Sequence, residues 1–282
     1  MYATAATIDI GSAEHREILS RFFLDTHIDY VPETVQWPEL PESERARLAA
    51  LPFWQEAVSM ESVTSNTVSA AAQLEADPQI RKAIEMQGFE EKRHARLLVA
   101  LASNYRIKIE APPKFVSDTV ENDFLSAGFG ECFDSFFAFG LFALARESGF
   151  FTPELVDTFE PVIQEEARHI LFFINWVRYR RSQLNWPQRV AFRLRCARVI
   201  LKHVASRIKT ARTIGGGTSS TEENFTMSAH QELGESVTLH KLLDLCLREN
   251  DRRLARYDAR LRRPQLVPAL ARFAYRILPA RL

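Results

Sequence analysis

Cysteine is scarce in this chain: its 282 residues include three, Cys132, Cys196 and Cys246, odd in number and far apart. That excludes a disulfide framework and fits reduced, structural thiols. Glycine is sparse too, at 10, and alternating Val/Thr-rich runs are nearly absent, which argues against sheet. No uncharged apolar run reaches the roughly 18 residues that a membrane-spanning helix needs. Met1 to Ile10 has neither a basic leader nor a long apolar segment, so no signal peptide is expected and the expected location is the cytoplasm. Net charge is also lacking, since 36 Lys+Arg balance 36 Asp+Glu. The balance is uneven along the chain, with 14 basic against 28 acidic residues over 1–174 and 22 against 8 over 175–282.

What the chain does have is apolar residues at three- and four-residue intervals, the spacing of helices with one buried face. The expected fold class is all-α. A first helix is predicted over 12–28, followed by a connection punctuated by Pro32, Pro38 and Pro41. Bundle helices are predicted over 53–75, 79–105, 119–148 and 154–183, separated by Asp77-Pro78, Ala111-Pro112-Pro113 and the stretch from Ser148-Gly149 to Thr152-Pro153. Short first and third connections make each flanking pair antiparallel neighbours. After Asn185-Trp186-Pro187 come a basic helix over 188–212, a loop at Gly215 to Ser220 that is mobile on composition, and helices near 228–262 and 265–278. The organisation expected is 1–52 as an N-terminal helix and Pro-rich connection, 53–183 as the bundle, and 184–282 as a basic helical extension.

Two segments nearly repeat each other: Glu90-Glu91-Lys92-Arg93-His94 and Glu165-Glu166-Ala167-Arg168-His169. Each places a Glu and a His three residues apart, about 60° apart on one helix face. A metal ion can take a carboxylate oxygen and an imidazole nitrogen from one such turn, the pattern of carboxylate-bridged di-iron and di-manganese bundles, in which each of the other two helices adds one Glu. Residues equidistant from a tight turn stand at one level, which selects Glu61 opposite Glu91 and Glu131 opposite Glu166. The expected ligands are Glu61, Glu91, His94, Glu131, Glu166 and His169. Glu90 with Arg93 and Glu165 with Arg168 are expected to be solvated i,i+3 pairs pointing away from them. Four carboxylates and two imidazoles form an oxygen-rich set that suits two Fe ions, or Mn, better than zinc or copper.

At these residues, over about 53–183, the chain resembles the ferritin-like di-iron carboxylate superfamily. Local wording is similar to the cyanobacterial aldehyde-deformylating oxygenases, in which a Glu-Cys-Phe like Glu131-Cys132-Phe133 opens the third bundle helix and a Glu-Glu-x-x-His like Glu165 to His169 follows. Val162 stands where arylamine N-oxygenases add a third His, and Leu98 where ribonucleotide reductase small subunits place a radical Tyr. The resemblance implies a ferritin-like four-helix bundle, dioxygen as co-substrate, a small, largely apolar organic substrate and an external electron donor.

The expected function is therefore that of a di-iron oxidase or oxygenase. The alternatives are a ferroxidase, peroxide-scavenging or metal-storage protein, and a non-catalytic helical protein that binds a partner. Ser135, Ala138 and Phe142, on the face shared with Glu131, are candidate pocket residues, and Thr64 and Ser65 are candidate donors behind the ligands. Helix 188–212 aligns Val190, Leu194, Ala197, Leu201, Val204 and Ile208, flanked by Arg189, Arg193, Arg198, Lys202 and Arg207. This stripe is expected either to pack on the acidic bundle or to contact an anionic membrane surface or an acidic protein. No nucleic-acid motif accompanies the charge. His230 and His240, with Glu232 and Glu235 between them, lack ligand spacing and are expected to be structural.

Overall fold

The computed structural model describes residues 8–112, 119–215 and 238–277, the side chains of 208–215 excepted. Apolar periodicity becomes helix throughout, and among the described residues there is no strand. The helices are α1 (Ala13–Asp25), α2 (Glu42–Ala50), α3 (Trp54–Leu74), α4 (Pro78–Asn104), α5 (Val120–Ser148), α6 (Pro153–Asp157), α7 (Glu160–Ser182), α8 (Trp186–Gly215), α9 (Leu239–Leu254) and α10 (Leu266–Ile277), with a 3-10 turn at Pro32–Thr34. The Gly216 to Ser220 run, the predicted helical stretch 228–237, and His230, Glu232 and Glu235 lie outside the described residues.

The bundle is made of α3, α4, α5 and α7. Asp77 caps α4 by accepting from Gln79 N at 2.9 Å and Ile80 N at 3.2 Å, with Pro78 in the first turn where its missing N–H costs nothing. The α3–α4 turn therefore closes as the sequence implies. At the end of α5, Gly149 takes the left-handed conformation at φ 63°, which stops the helix. α1 packs against α4 and α7, α8 and α9 pack on α5 and α7, and α10 lies on α9 and α5.

Four expectations need correcting. Residues 42–50, read as part of a connection, form α2, with Glu42 and Glu44 in its first turn, Arg47 in its last and Leu48 buried. The helix expected over 154–183 is interrupted between α6 and α7, because Pro161 cannot donate to the carbonyl of Asp157 and its ring would clash there. The helix expected near 228–262 begins, among described residues, at Leu239 behind a Thr238 cap and ends at Leu254. Most of the predicted stripe of α8 is not the face that packs: Val204 lies against the core, but Leu194 and Leu201 are each 67% exposed and Val190 39%, whereas Phe192 and Cys196 are buried, and the Ile208 side chain lies outside the described part.

Specific ion pairs tie the basic tail to the acidic bundle. Arg195 reaches Glu121, Arg207 forks onto Asp134 with both oxygens at 2.7 Å, and the fully buried Arg253 holds Glu160 at 3.0 Å. The unequal charge of the two halves is thus partly spent across their interface. α5 is the one described helix long and apolar enough to cross a membrane by composition, and 67% of its apolar window is buried inside the protein, as befits a core helix. All three cysteines are buried and free, and burial pushes the thiols of Cys196 and Cys246 up to about 11 and about 12. They stay protonated and unreactive.

α5 and α9 approach closely where Gly140 faces Cys246. A Cβ at Gly140 would stand 2.9 Å from the backbone nitrogen of Cys246, an atom that cannot swing aside. Gly140→Ala should lower stability by about 1–3 kcal/mol through overpacking, seen as a reduced urea midpoint with an unchanged slope.

Candidate metal centre

All six candidate ligands converge. α4 presents Glu91 and His94 and α7 presents Glu166 and His169, each pair one turn apart on an inward face. Glu61 of α3 and Glu131 of α5 face them. His94 Nδ1 lies 3.5 Å from Glu61, 3.9 Å from Glu91 and 3.4 Å from Glu166. His169 Nδ1 lies 2.9 Å from Glu91 and 3.7 Å from Glu166. Glu91 and Glu166 therefore sit between the two imidazoles, with Glu61 on the His94 side. Glu131 groups with Glu91 and His169, with ligand atoms all within 4.8 Å of one another, the same limit that holds for Glu61, Glu91, His94 and Glu166.

Behind the imidazoles lies a second buried layer, and here the sequence reading fails. Glu90, Arg93, Glu165 and Arg168 are not solvated: none is more than 1% exposed. They exchange partners across the α4–α7 contact. Glu165 of α7 accepts from His94 Nε2 at 2.8 Å and from Arg93, both on α4. Glu90 of α4 accepts from His169 Nε2 at 2.9 Å and Arg168 Nη1 at 2.7 Å, both on α7. The N-terminal segment closes the outside of this layer. Arg168 also donates to Thr26 Oγ1 at 3.0 Å and to the Phe23 carbonyl, His27 Nδ1 is 2.6 Å from Glu90, and Tyr30 donates to Glu165 at 3.4 Å and lies under the Arg93 guanidinium. A signal for this was present. The repeated motif is identical at its first Glu and its Arg as well as at the ligand positions, more identity than solvated faces need.

Two consequences follow for the inner cluster. Each imidazole donates its Nε2–H to a carboxylate, which leaves Nδ1 facing inward, where it offers a lone pair once its proton is displaced. The outer layer is also self-neutral, two carboxylates against two guanidiniums, so it has no cation to spare for Glu61, Glu91, Glu131 and Glu166. His94 Nδ1, His169 Nδ1, Glu91 Oε1 and Glu131 Oε1 are buried and make no well-aligned hydrogen bond, even though His169 Nδ1 and Glu91 Oε1 stand 2.9 Å apart. Orphaned buried donor and acceptor atoms facing one another are costly unless something compensates them. Two dications would supply four positive charges to four carboxylates, so the residues fit a pair of metal ions.

Protons do that work when no metal is bound. Burial pushes the Glu61 carboxyl up from an ordinary 4.5 to about 8 against the pull of His94. Burial, then the charges of Glu91 and Glu166, raise Glu131 well above the usual range. For His94, burial opposes the proton but the Glu165 hydrogen bond and the nearby carboxylates of Glu166 and Glu61 win, and for His169 the Glu91 charge and the Glu90 hydrogen bond win, so both imidazoles hold protons well above their ordinary value. Glu166 is lowered: burial opposes its charge, but His94, His169 and the Ser135 hydroxyl outweigh it.

The other predicted residues divide. Ser135 donates to Glu166 at 2.7 Å, so it is a donor to the cluster as well as a small wall residue. Thr64, Ala138 and Phe142 line the cavity beside the cluster. Ser65 does not serve the site; its hydroxyl bonds the Gly88 carbonyl at 3.0 Å and clasps α3 to α4. Gln87, which the sequence reading passed over, donates to Glu131 at 3.3 Å. The cavity measures about 870 Å³. Glu61, Glu91, His94, Glu131 and Glu166 form part of its wall, and most of the rest is apolar, including Trp54, Leu98, Leu141 and Phe159.

Metal-free protein should lose stability as pH rises. Folded Glu61, Glu131, His94 and His169 keep protons that the unfolded chain releases, so the native state binds more protons and the unfolding free energy falls with pH, for Glu61 between about 4.5 and about 8. Thermal melts of chelator-treated protein should show the midpoint dropping across that window, and metal-loaded protein should not, because metal has displaced the protons. Glu90→Ala should cost about 3–5 kcal/mol by stranding the buried Arg168 and weaken metal binding about 10–100-fold by releasing His169. Glu85→Ala, exposed on the same helix, should do neither in denaturation and metal titration.

No family model, curated protein or solved structure matches the chain. By its own geometry it is an all-helical protein with a buried Glu/His cluster that could hold a metal ion, an arrangement consistent with a ferritin-like di-iron site.

Proposed function

We propose that Glu61, Glu91, His94, Glu131, Glu166 and His169 hold two iron ions, and that the centre uses dioxygen to oxidise a largely apolar small molecule in the adjoining cavity. The observation that carries this reading is the meeting of the cluster with the cavity: the carboxylates and His94 are part of the wall of an apolar chamber of about 870 Å³. A chamber of that size and lining suits an organic molecule. The predominance of apolar residues in the lining favours the organic substrate over a ferroxidase or storage role, while Asp123, Ser126, Asp134, His203 and Arg207 make one side of the cavity polar. The donor set is hard and oxygen-rich, with two imidazoles, as iron or manganese prefers.

In this reading Glu91 and Glu166, which lie between the two imidazoles, would serve both metals, Glu61 with His94 would hold one, and Glu131 with His169 would hold the other. An iron pair, when bound, supplies the redox chemistry that activates dioxygen, with electrons from an external donor. The chain supplies position and environment. Glu90 and Glu165 hold the imidazoles by their outer nitrogens, Ser135 holds Glu166, and the walls exclude water from the reacting end of the substrate. Ala138 and Phe142, beyond Ser135 on the same face of α5, border the space that the substrate would fill.

Metal analysis of purified protein should find two ions per chain, iron in preference to manganese, with strong loss in Glu91→Ala and in His169→Ala. Unchanged metal content in both variants would sink the proposal. Ala138→Phe should narrow the cavity beside the cluster while leaving each ligand residue in place: metal content is expected to persist, while dioxygen-dependent turnover of apolar test substrates falls at least about tenfold. Rapid iron oxidation by the unaltered protein with no organic turnover at all would identify it as a ferroxidase.

A further inference from the structure

α8 carries two apolar faces, and only one of them is occupied. Toward the bundle it buries Phe192 and Cys196 and sets His203 against Ser126 at 2.9 Å. On the opposite side, at helical spacing, run Trp186, Val190, Leu194, Ala197 and Leu201, all exposed, with Trp186 at 76% and both leucines at 67%. Burying a leucine contributes roughly 1.5–3 kcal/mol, so four turns of open stripe are an unspent driving force.

Charge identifies the occupant. α8 contains eight Lys and Arg and no Asp or Glu. Arg195 and Arg207 are committed to Glu121 and Asp134. Projection of the helix at about 100° per residue puts Arg189 and Arg193 along one border of the open stripe and Arg198 and Lys202 along the other, all exposed. Cations on both edges of an apolar stripe, on long stems that can reach outward while the stripe sinks, are the design of a helix lying in the surface of an anionic bilayer. An acidic protein would be met by a patterned or grooved surface, whereas this face is a convex ridge with the same charge on both edges. α10 repeats the pattern: Leu266, Leu270, Phe273 and Ile277 are 43–64% exposed in one stripe, beside the exposed Arg272 and Arg276.

We infer that the outer face of α8 docks the protein on anionic lipid bilayers. Lys202 belongs both to the border of this face and to the wall of the cavity. The cavity therefore reaches the surface next to the docking face, where an apolar ligand could pass from the lipid. The docking does not depend on the metal centre, and its test does not use activity.

Flotation of the full chain with vesicles of phosphatidylcholine mixed with phosphatidylglycerol, and with phosphatidylcholine alone, tests this. The protein should float with the anionic vesicles, not with the neutral ones, and less so as salt is added. Each basic residue near such a surface contributes about 1 kcal/mol, so Arg193→Glu with Arg198→Glu should reduce binding at least about tenfold. Leu194→Glu with Leu201→Glu should reduce it similarly. Both pairs are exposed, so thermal melts should match those of the parent. Trp186 fluorescence should shift to the blue on binding, a change lost in Trp186→Phe. Failure to float with anionic vesicles would overturn the inference. So would full binding by both double variants, or self-association of the free protein that Leu194→Glu abolishes while flotation persists.

Discussion

Four buried charges cross between α4 and α7: Glu90 holds Arg168 and His169, and Glu165 holds Arg93 and His94. Each helix thus supplies the anion for the other helix's cation. Removing one member strands another in an interior where an uncompensated charge is expensive. The same bonds decide which imidazole nitrogen faces inward, and they commit Arg93 and Arg168 to the outer carboxylates. With the outer guanidiniums committed, the four inner carboxylates have only protons and the two imidazoles to compensate them. That arrangement is built into the fold, and it is why the cluster could hold a metal ion.

The convergence of the six candidate residues was legible because it rests on geometry that a sequence carries by itself. Two Glu-x-x-His turns must project from one face of a helix, and a tight turn at Asp77-Pro78 fixes which residue of α3 stands opposite Glu91. The outer layer was not legible by that route. Helical projection places Glu90 and Glu165 off the ligand face, and a charged residue off the functional face is ordinarily solvated. What overrides that rule is a neighbour the projection of one helix does not contain: α1 and the segment through Tyr30 cover that side and leave no water there. α2 and the break before α7 were missed for a different reason. Both depend on how Pro41 and Pro161 read in context, since a proline can open a helix or stop one.

The tail shows how two faces of one helix can be confused. Periodicity correctly finds an apolar stripe at Val190, Leu194, Ala197 and Leu201, but it says nothing about which stripe the bundle takes. The bundle takes Phe192, Cys196 and Val199 instead, because that face also carries Arg195, His203 and Arg207, the groups with acidic or polar partners on α5. Electrostatic matching with α5 thus orients α8 and leaves its more regular stripe outward.

Burial of the cluster and the size of the cavity are linked through α5. Its inward face changes character along its length, from Glu131 and Ser135 at the cluster to Ala138, then to Leu141 and Phe142. A large side chain at 135 would crowd the carboxylates, and one at 138 would narrow the cavity beside them. Small residues there keep the cluster reachable, with the Ser135 hydroxyl turned onto Glu166 at 2.7 Å. Low polarity raises the protonation of Glu61 and Glu131 in the metal-free protein, and that same low polarity strengthens their attraction for cations once the protons leave. The environment that makes the bare cluster unfavourable is therefore the one that would strengthen its hold on a cation, and it lies against a largely apolar cavity.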